Sequence, residues 1–364
     1  MSMKFRWLAS VVFALSVCFL MACGSGSSNS SSTDTMYVAT QNSSQIWGYR
    51  ANFNSGTLSN INGSPFASEN GSGSIVIEPS HNFAYVSGFN SSSGVGEIQR
   101  FSIDSNGSLV PITPNTPVTN SGISALAMDS GGKFLFVANQ LAGTVTVFSV
   151  GANGALTLVG SSTVVDPVAL AVTPNAGLLY VADQQDNVVY GFSINSTTGA
   201  LTPLLPPNVL AGSSPSGLAI NPAGTFLYVT NSVSNNVSGF TINSDGSLTA
   251  MSRSPFPSGT GPVAAQVDPS GQFLYVVDNG SNQVSSYRIT AVNGDLVATP
   301  GSPVSTGTGP LGVSISPTNK YLYVSNNAAG TISGYSVSPA TGDLTPTVAA
   351  TTTGLQPAGM AFGR

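Results

Sequence analysis

Histidine, cysteine and paired carboxylates are the side chains that most often carry chemistry, and this chain is poor in all of them. Its 364 residues include one His, two Cys, fourteen acidic and nine basic residues. His81 stands in Glu78-Pro79-Ser80-His81-Asn82, a run of turn formers, without the further ligands of a zinc site or the partners of a Ser-His-Asp relay. It is expected to be a turn residue. Asp183, Asp186 and Asn187 offer oxygens to a calcium ion, yet their spacing follows no recognised calcium loop. The Gly-Ser runs lack the Lys of a phosphate loop. The residues therefore assign no catalytic group, no metal and no cofactor.

The Asn and Asp residues that recur are more informative. Asn139, Asp183, Asn231, Asp278 and Asn326 each follow an aromatic-Val pair at the same distance, a place where Asx side chains hold turns by bonding local backbone amides. The pair itself occurs seven times, at Tyr37-Val38, Tyr85-Val86, Phe136-Val137, Tyr180-Val181, Tyr228-Val229, Tyr275-Val276 and Tyr323-Val324. Its steps of 48, 51, 44, 48, 47 and 48 residues fit a unit of about four short strands, the size of a propeller blade.

Other signals fill the unit. A small-apolar-apolar segment precedes six of the pairs, as in Val168 to Pro174 or Leu311 to Pro317. Alternating runs such as Thr144-Val145-Thr146-Val147-Phe148 follow them, which is the period of a strand. A Gly-x-Leu signature then opens a fourth run in every unit, from Gly56-Thr57-Leu58 to Gly342-Asp343-Leu344, and its Gly suits a tight hairpin turn. The first unit lacks the leading segment, whereas the chain finishes on one, Pro357 to Phe362. Together the two ends make one blade and close a ring without free edges. The expected fold is an all-β seven-bladed β-propeller of four-stranded antiparallel blades, its N-terminal blade completed by the C-terminal strand. Residues 36–364 form it as a single domain. One opening of such a ring gathers the five Asx residues together with Asp166, Ser213, Ser214, Thr260 and Thr308, so Asn139, Asp166, Asp183, Asn231, Asp278 and Asn326 are the candidate ligand mouth.

The N-terminus carries a different message. Lys4 and Arg6 precede an apolar stretch, Trp7 to Met21, too short for a membrane span and of the form of a signal peptide. Leu20-Met21-Ala22-Cys23 resembles the lipobox of bacterial lipoproteins, which implies a signal peptide over residues 1–22, lipid on Cys23, and a Ser-rich tether over 23–35. Gly24 after that Cys implies sorting to the outer membrane in diderm bacteria. The mature domain then has no thiol, and its formal charge is seven basic against fourteen acidic, or minus seven. A weakly charged acidic surface excludes nucleic acid and anionic headgroups as partners.

The seven units, the Tyr-Val strand, the Gly-x-Leu turn and the phasing of the two ends resemble the lactonase-type seven-bladed propellers that include bacterial 6-phosphogluconolactonases. Tyr228-Val229-Thr230-Asn231 spells the related YVTN repeat. The resemblance implies lactone hydrolysis by an Arg-His pair and a second Arg early in leading strands, and by a Glu just after the Asn that ends an aromatic-Val strand. Here the Arg-His slots hold Gly73-Ser74, Ser124-Ala125, Val168-Ala169, Ser216-Gly217, Val263-Ala264, Leu311-Gly312 and Ala358-Gly359. The Glu slots hold Gln41, Phe89, Gln140, Gln184, Ser232, Asn279 and Asn327, none of which can activate water. The expectation is a monomeric, lipid-anchored cell-envelope propeller that binds or scaffolds a protein or glycan, with lactone hydrolysis as the alternative.

Overall fold

Each aromatic-Val pair lies in the second strand of an antiparallel blade, counted outward from the ring axis, and seven such blades form the ring. The structure is a computed structural model that describes residues 33–90, 95–118, 122–347 and 350–363. The expected signal peptide, Cys23 and nearly all of the tether lie outside the described residues.

Blades 2 to 7 follow chain order, with innermost strands at Ile75–Ile77, Ile123–Met128, Pro167–Val172, Pro215–Ile220, Pro262–Val267 and Pro310–Ile315. Blade 1 joins the two ends of the chain. Its second, third and outer strands are Thr33–Thr40, Gln45–Asn52 and Leu58–Asn60, and its innermost strand is Pro357–Phe362. Tyr37 pairs with Ala361 and Val38 with Met360, so the C-terminal strand closes the ring. In blades 1, 5, 6 and 7 the outer strand is broken in two: Phe66–Ala67, Phe256–Pro257, Val304–Ser305 and Thr351–Thr352 pair separately with the third strand.

The turn signature does what its glycine requires. All seven outer strands begin at the Leu of Gly-x-Leu, and all seven glycines have φ between 68° and 86°. They also lie against the preceding blade, where a Cβ on Gly199 would meet the Phe134 ring at 2.5 Å and one on Gly154 the Phe83 ring at 2.6 Å.

Hydrophobic burial occurs between blades. One cluster unites Tyr37 and Ile46 of blade 1 with Val86 and Phe101 of blade 2, and another unites Tyr228 and Val237 of blade 5 with Leu274 and Tyr287 of blade 6. A blade cannot bury these faces alone. Within this apolar contact the tyrosine hydroxyls reach the next blade, as Tyr180 Oη does in donating to the Gly246 carbonyl at 2.6 Å. Burial raises the phenols well above their ordinary value, that of Tyr37 to about 12, so they remain donors at neutral pH.

Candidate functional site

The innermost strands leave a tunnel along the ring axis. Its mouth opens where the second-to-third-strand turns meet the connections between blades, and encloses about 310 Å³. The starts of all seven innermost strands line it, at Gly73-Ser74, Ser124-Ala125, Ala169, Ser216-Gly217, Val263-Ala264, Leu311-Gly312 and Ala358-Gly359. These are the slots where the resemblance implies Arg and His. Farther in, a wider stretch of about 610 Å³ is walled by Leu126, Leu218, Val313, Met360 and Phe362. Its Gln266 is already engaged, since Oε1 accepts the Ile315 amide at 3.1 Å.

Close backbone packing explains why the mouth residues are small. A Cβ on Gly359 would lie 2.6 Å from the Gly73 carbonyl oxygen, and one on Gly217 would lie 2.8 Å from that of Val263. A long cationic side chain has no place at either position. The mouth hydroxyls serve the neighbouring blade: Ser124 Oγ donates to the Pro167 carbonyl at 2.6 Å, Ser216 Oγ to Pro262 at 2.7 Å, and Ser74 Oγ accepts the Leu126 amide at 3.0 Å.

Two of the Glu-slot residues have the same employment. Asn279 Nδ2 donates to the Pro310 carbonyl at 2.8 Å and Asn327 Nδ2 to that of Pro357 at 3.1 Å. Gln41 differs, because it lines the mouth cavity; its Oε1 accepts from Asn327 at 3.2 Å, and among the described residues its Nε2 has no acceptor.

The candidate ligand mouth requires correction. Asn139, Asp183, Asn231, Asp278 and Asn326 are at most 1% exposed and do not line the tunnel; only Asp166 is half-buried. They face into the blade and fasten its connections. Asn231 Oδ1 accepts the Gly212 amide at 3.1 Å while its Nδ2 donates to Ser238 Oγ at 2.9 Å, and Asn326 joins Thr306 to Ser333 in the same way. Asn139 Nδ2 donates to Thr146 Oγ1 at 2.8 Å. Asp183 accepts the amides of Asp166 at 3.1 Å and Asp186 at 2.9 Å, so its carboxylate completes a turn. Asp278 accepts from Ser258 Oγ at 3.0 Å and Ser285 Oγ at 2.6 Å. Burial nonetheless raises the Asp278 carboxyl above its ordinary 3.8, against the pull of these hydrogen bonds.

His81 sits in a turn at the other opening, at φ 60°, with its amide donating to the Glu78 carbonyl at 2.7 Å. Among the described residues no three His, Cys, Asp or Glu side chains are grouped to hold a metal.

Blade 2 contains what the sequence reading passed over. Its counterpart of the Asx position is Gly88, and Gln99 from the third strand fills the gap: a Cβ on Gly88 would meet Gln99 Nε2 at 2.5 Å. Gln99 Oε1 then accepts the Glu69 amide at 2.7 Å, as the Asx residues do for their own connections. Glu97, two residues before, is a buried carboxylate that does not line the tunnel. The one sequence signal for this exchange is the longest step of the repeat, 51 residues after Tyr85.

These features define a closed seven-bladed propeller with an uncharged tunnel mouth. The chain belongs to the family described as "Lactonase, 7-bladed beta-propeller", whose profile matches residues 68–207 and 202–309. Among solved structures it is similar to the periplasmic gluconolactonase PpgL of Pseudomonas aeruginosa, with 21% identity and a TM-score of 0.82 over 92% of this chain and 99% of that one. It is also similar to a Bacteroides fragilis protein proposed to be a 6-phosphogluconolactonase, with 23% identity and a TM-score of 0.81 over the same shares. At such identities the likeness concerns the fold. No curated protein matches the chain in sequence.

Proposed function

We propose that the protein is a lipid-anchored propeller of the cell envelope that binds a protein or glycan and does not hydrolyse lactones. One observation carries this reading: the starts of the innermost strands and Gln41 present only small, apolar, hydroxyl and amide side chains to the mouth cavity. Hydrolysis of a lactone needs a group to activate water and another to stabilise the oxyanion, and a phosphorylated sugar acid needs a cationic counterpart. A neutral hydrogen-bonding cavity supplies binding without either.

Lactone hydrolysis is the second reading, favoured by family membership and by the names of the two similar structures. Purified protein assayed on 6-phosphogluconolactone and on simple lactones decides between them. Turnover well above the spontaneous rate, lost on Gln41→Ala, would overturn the binding reading. The anchor has its own test: Cys23→Ser releases the protein from the membrane fraction if Cys23 carries lipid, and unchanged retention refutes lipidation.

A further inference from the structure

Exposed apolar side chains are unevenly spread over the ring. Phe89, Leu141, Val165, Leu210 and Val233 all stand at the mouth ends of blades 2 to 5, with Leu141, Leu210 and Val233 at 82%, 77% and 68% exposure. On the mouth face of the other blades only Leu355, in the closing connection, is comparable among the described residues; the opposite opening has Val292 with Val110 and Val297 beside it, and Leu158 and Leu205 are exposed singly on outer strands. The turns and connections of blades 6 and 7 are instead built from short residues, such as Asn279-Gly280-Ser281 and Asn327-Ala328-Ala329.

The same arc is acidic. Glu69, Asp166 and Asp186 lie in its turns and connections. Every basic residue described is elsewhere: Lys133 and Lys320 occupy turns at the opposite opening, and Arg253 lies in the broken outer strand of blade 5. Arg50, Arg100 and Arg288, on third strands, donate to carbonyls of Asn106, Pro114 and Ala340. Hydrogen bonds fix the blade 4 part of the arc, since the Gln184 amide donates to the Asp166 carbonyl at 3.0 Å and the Ser214 amide to Asn187 Oδ1 at 2.6 Å. A fixed surface loses little freedom when a partner docks.

Topology says which way the arc faces. Thr33 begins a strand that runs toward the mouth, so the described chain starts at the opposite opening. The exposed Leu141, Leu210 and Val233 are thus at the end of the ring opposite Thr33.

We infer that the mouth face of blades 2 to 5 docks a protein segment presenting aliphatic and cationic side chains. This deepens the binding reading above and rests on it. Aliphatic groups cover the exposed leucines and valines, and the cations meet Glu69, Asp166 and Asp186 without a competing positive charge. The test uses the full chain in nanodiscs of zwitterionic lipid, titrated with a fluorescent peptide of alternating Lys and Leu; Glu/Leu and Lys/Ser peptides and empty nanodiscs serve as controls. Saturable binding of the Lys/Leu peptide alone is expected. It should weaken at least about tenfold in the triple variant Leu141→Ser, Leu210→Ser, Val233→Ser and in the double variant Asp166→Lys, Asp186→Lys, but not in Val292→Ser. Asp166 is half-buried and the other sites are exposed, and an unchanged melting profile confirms that each variant folds. Equal binding by the triple variant, a preference for the Glu/Leu peptide, or no saturable binding overturns the inference. No peptide binding without lactone turnover removes the docking arc alone; lactone turnover with peptide binding intact removes the hydrolysis-free reading alone.

Discussion

Tyr323 Oη donates to the Gly56 carbonyl at 2.9 Å, a hydrogen bond between residues 267 positions apart that ties blade 7 to blade 1. Tyr37, Tyr85, Tyr180, Tyr228 and Tyr275 make the same bond to Gly107, Gly154, Gly246, Gly294 and Gly342. The Tyr-Val strand and the Gly-x-Leu turn are therefore two halves of one latch, each blade supplying the donor for the next. Tyr323→Phe keeps the ring packed but leaves a buried carbonyl without its donor, at a cost of about 1–3 kcal/mol. Chemical denaturation of the variant should register that loss, and an unchanged midpoint would show that the seam does not depend on the hydroxyl.

Phe136 is the exception, a Phe at the latch position of blade 3, where the corresponding turn of blade 4 has Gly199. Phe136→Tyr should complete the seventh latch and stabilise the fold by about 0.5–1.5 kcal/mol, the net value of one such bond. A fall in stability would mean that the contact around Gly199 has no room for the hydroxyl.

Most of the fold was legible because these latch residues repeat. Aromatic-Val and Gly-x-Leu mark backbone positions that every blade needs, so period and phase alone lead to a closed ring. The mouth was only half legible. The small residues at Gly217, Gly312 and Gly359 were evident as letters, and the structure adds the reason, a neighbouring carbonyl within Cβ distance. The Asx residues were misplaced because a side chain at the end of a strand can face solvent or fold back onto its own connection, and the choice depends on partners distant in sequence. Asn231 reaches Gly212 and Asp278 reaches Ser258. Gln99 standing in for an Asn at Gly88 was hidden for the same reason, since it comes from another strand.

Asp278 is a buried acid whose carboxyl is raised above 3.8, chiefly by desolvation. The unfolded chain ionises first as pH rises, so stability from this group is full below about pH 3.8 and falls until the folded-state value is passed. Asp278→Asn removes the loss. The amide can accept from Ser258 and donate to Ser285 as Asn231 donates to Ser238. The variant should therefore be more stable than the parent at pH 7, and the difference should shrink toward pH 3. Paired urea melts at the two pH values check it; a variant weaker at pH 7 would show that the hydroxyls hold the carboxylate better than they would an amide.

Glycine at the tunnel mouth is the last constraint with a measurable consequence. A methyl on Gly359 would stand 2.6 Å from the Gly73 carbonyl oxygen and 3.1 Å from Ser74 Cα, both backbone atoms of the neighbouring blade. The innermost strands must separate to admit it, so Gly359→Ala should cost about 1–3 kcal/mol and loosen the closure between blades 1 and 2. Gly160, in the outer strand of blade 3, is the control, because nothing lies within 4 Å of a Cβ there and its φ is not positive. Gly160→Ala should be neutral or stabilise by up to about 1 kcal/mol through lower freedom of the unfolded chain. If both substitutions were equally mild, the mouth would be wide enough to take side chains, and the absence of Arg and His from its slots would then reflect the demands of the ligand, with ring geometry playing no part.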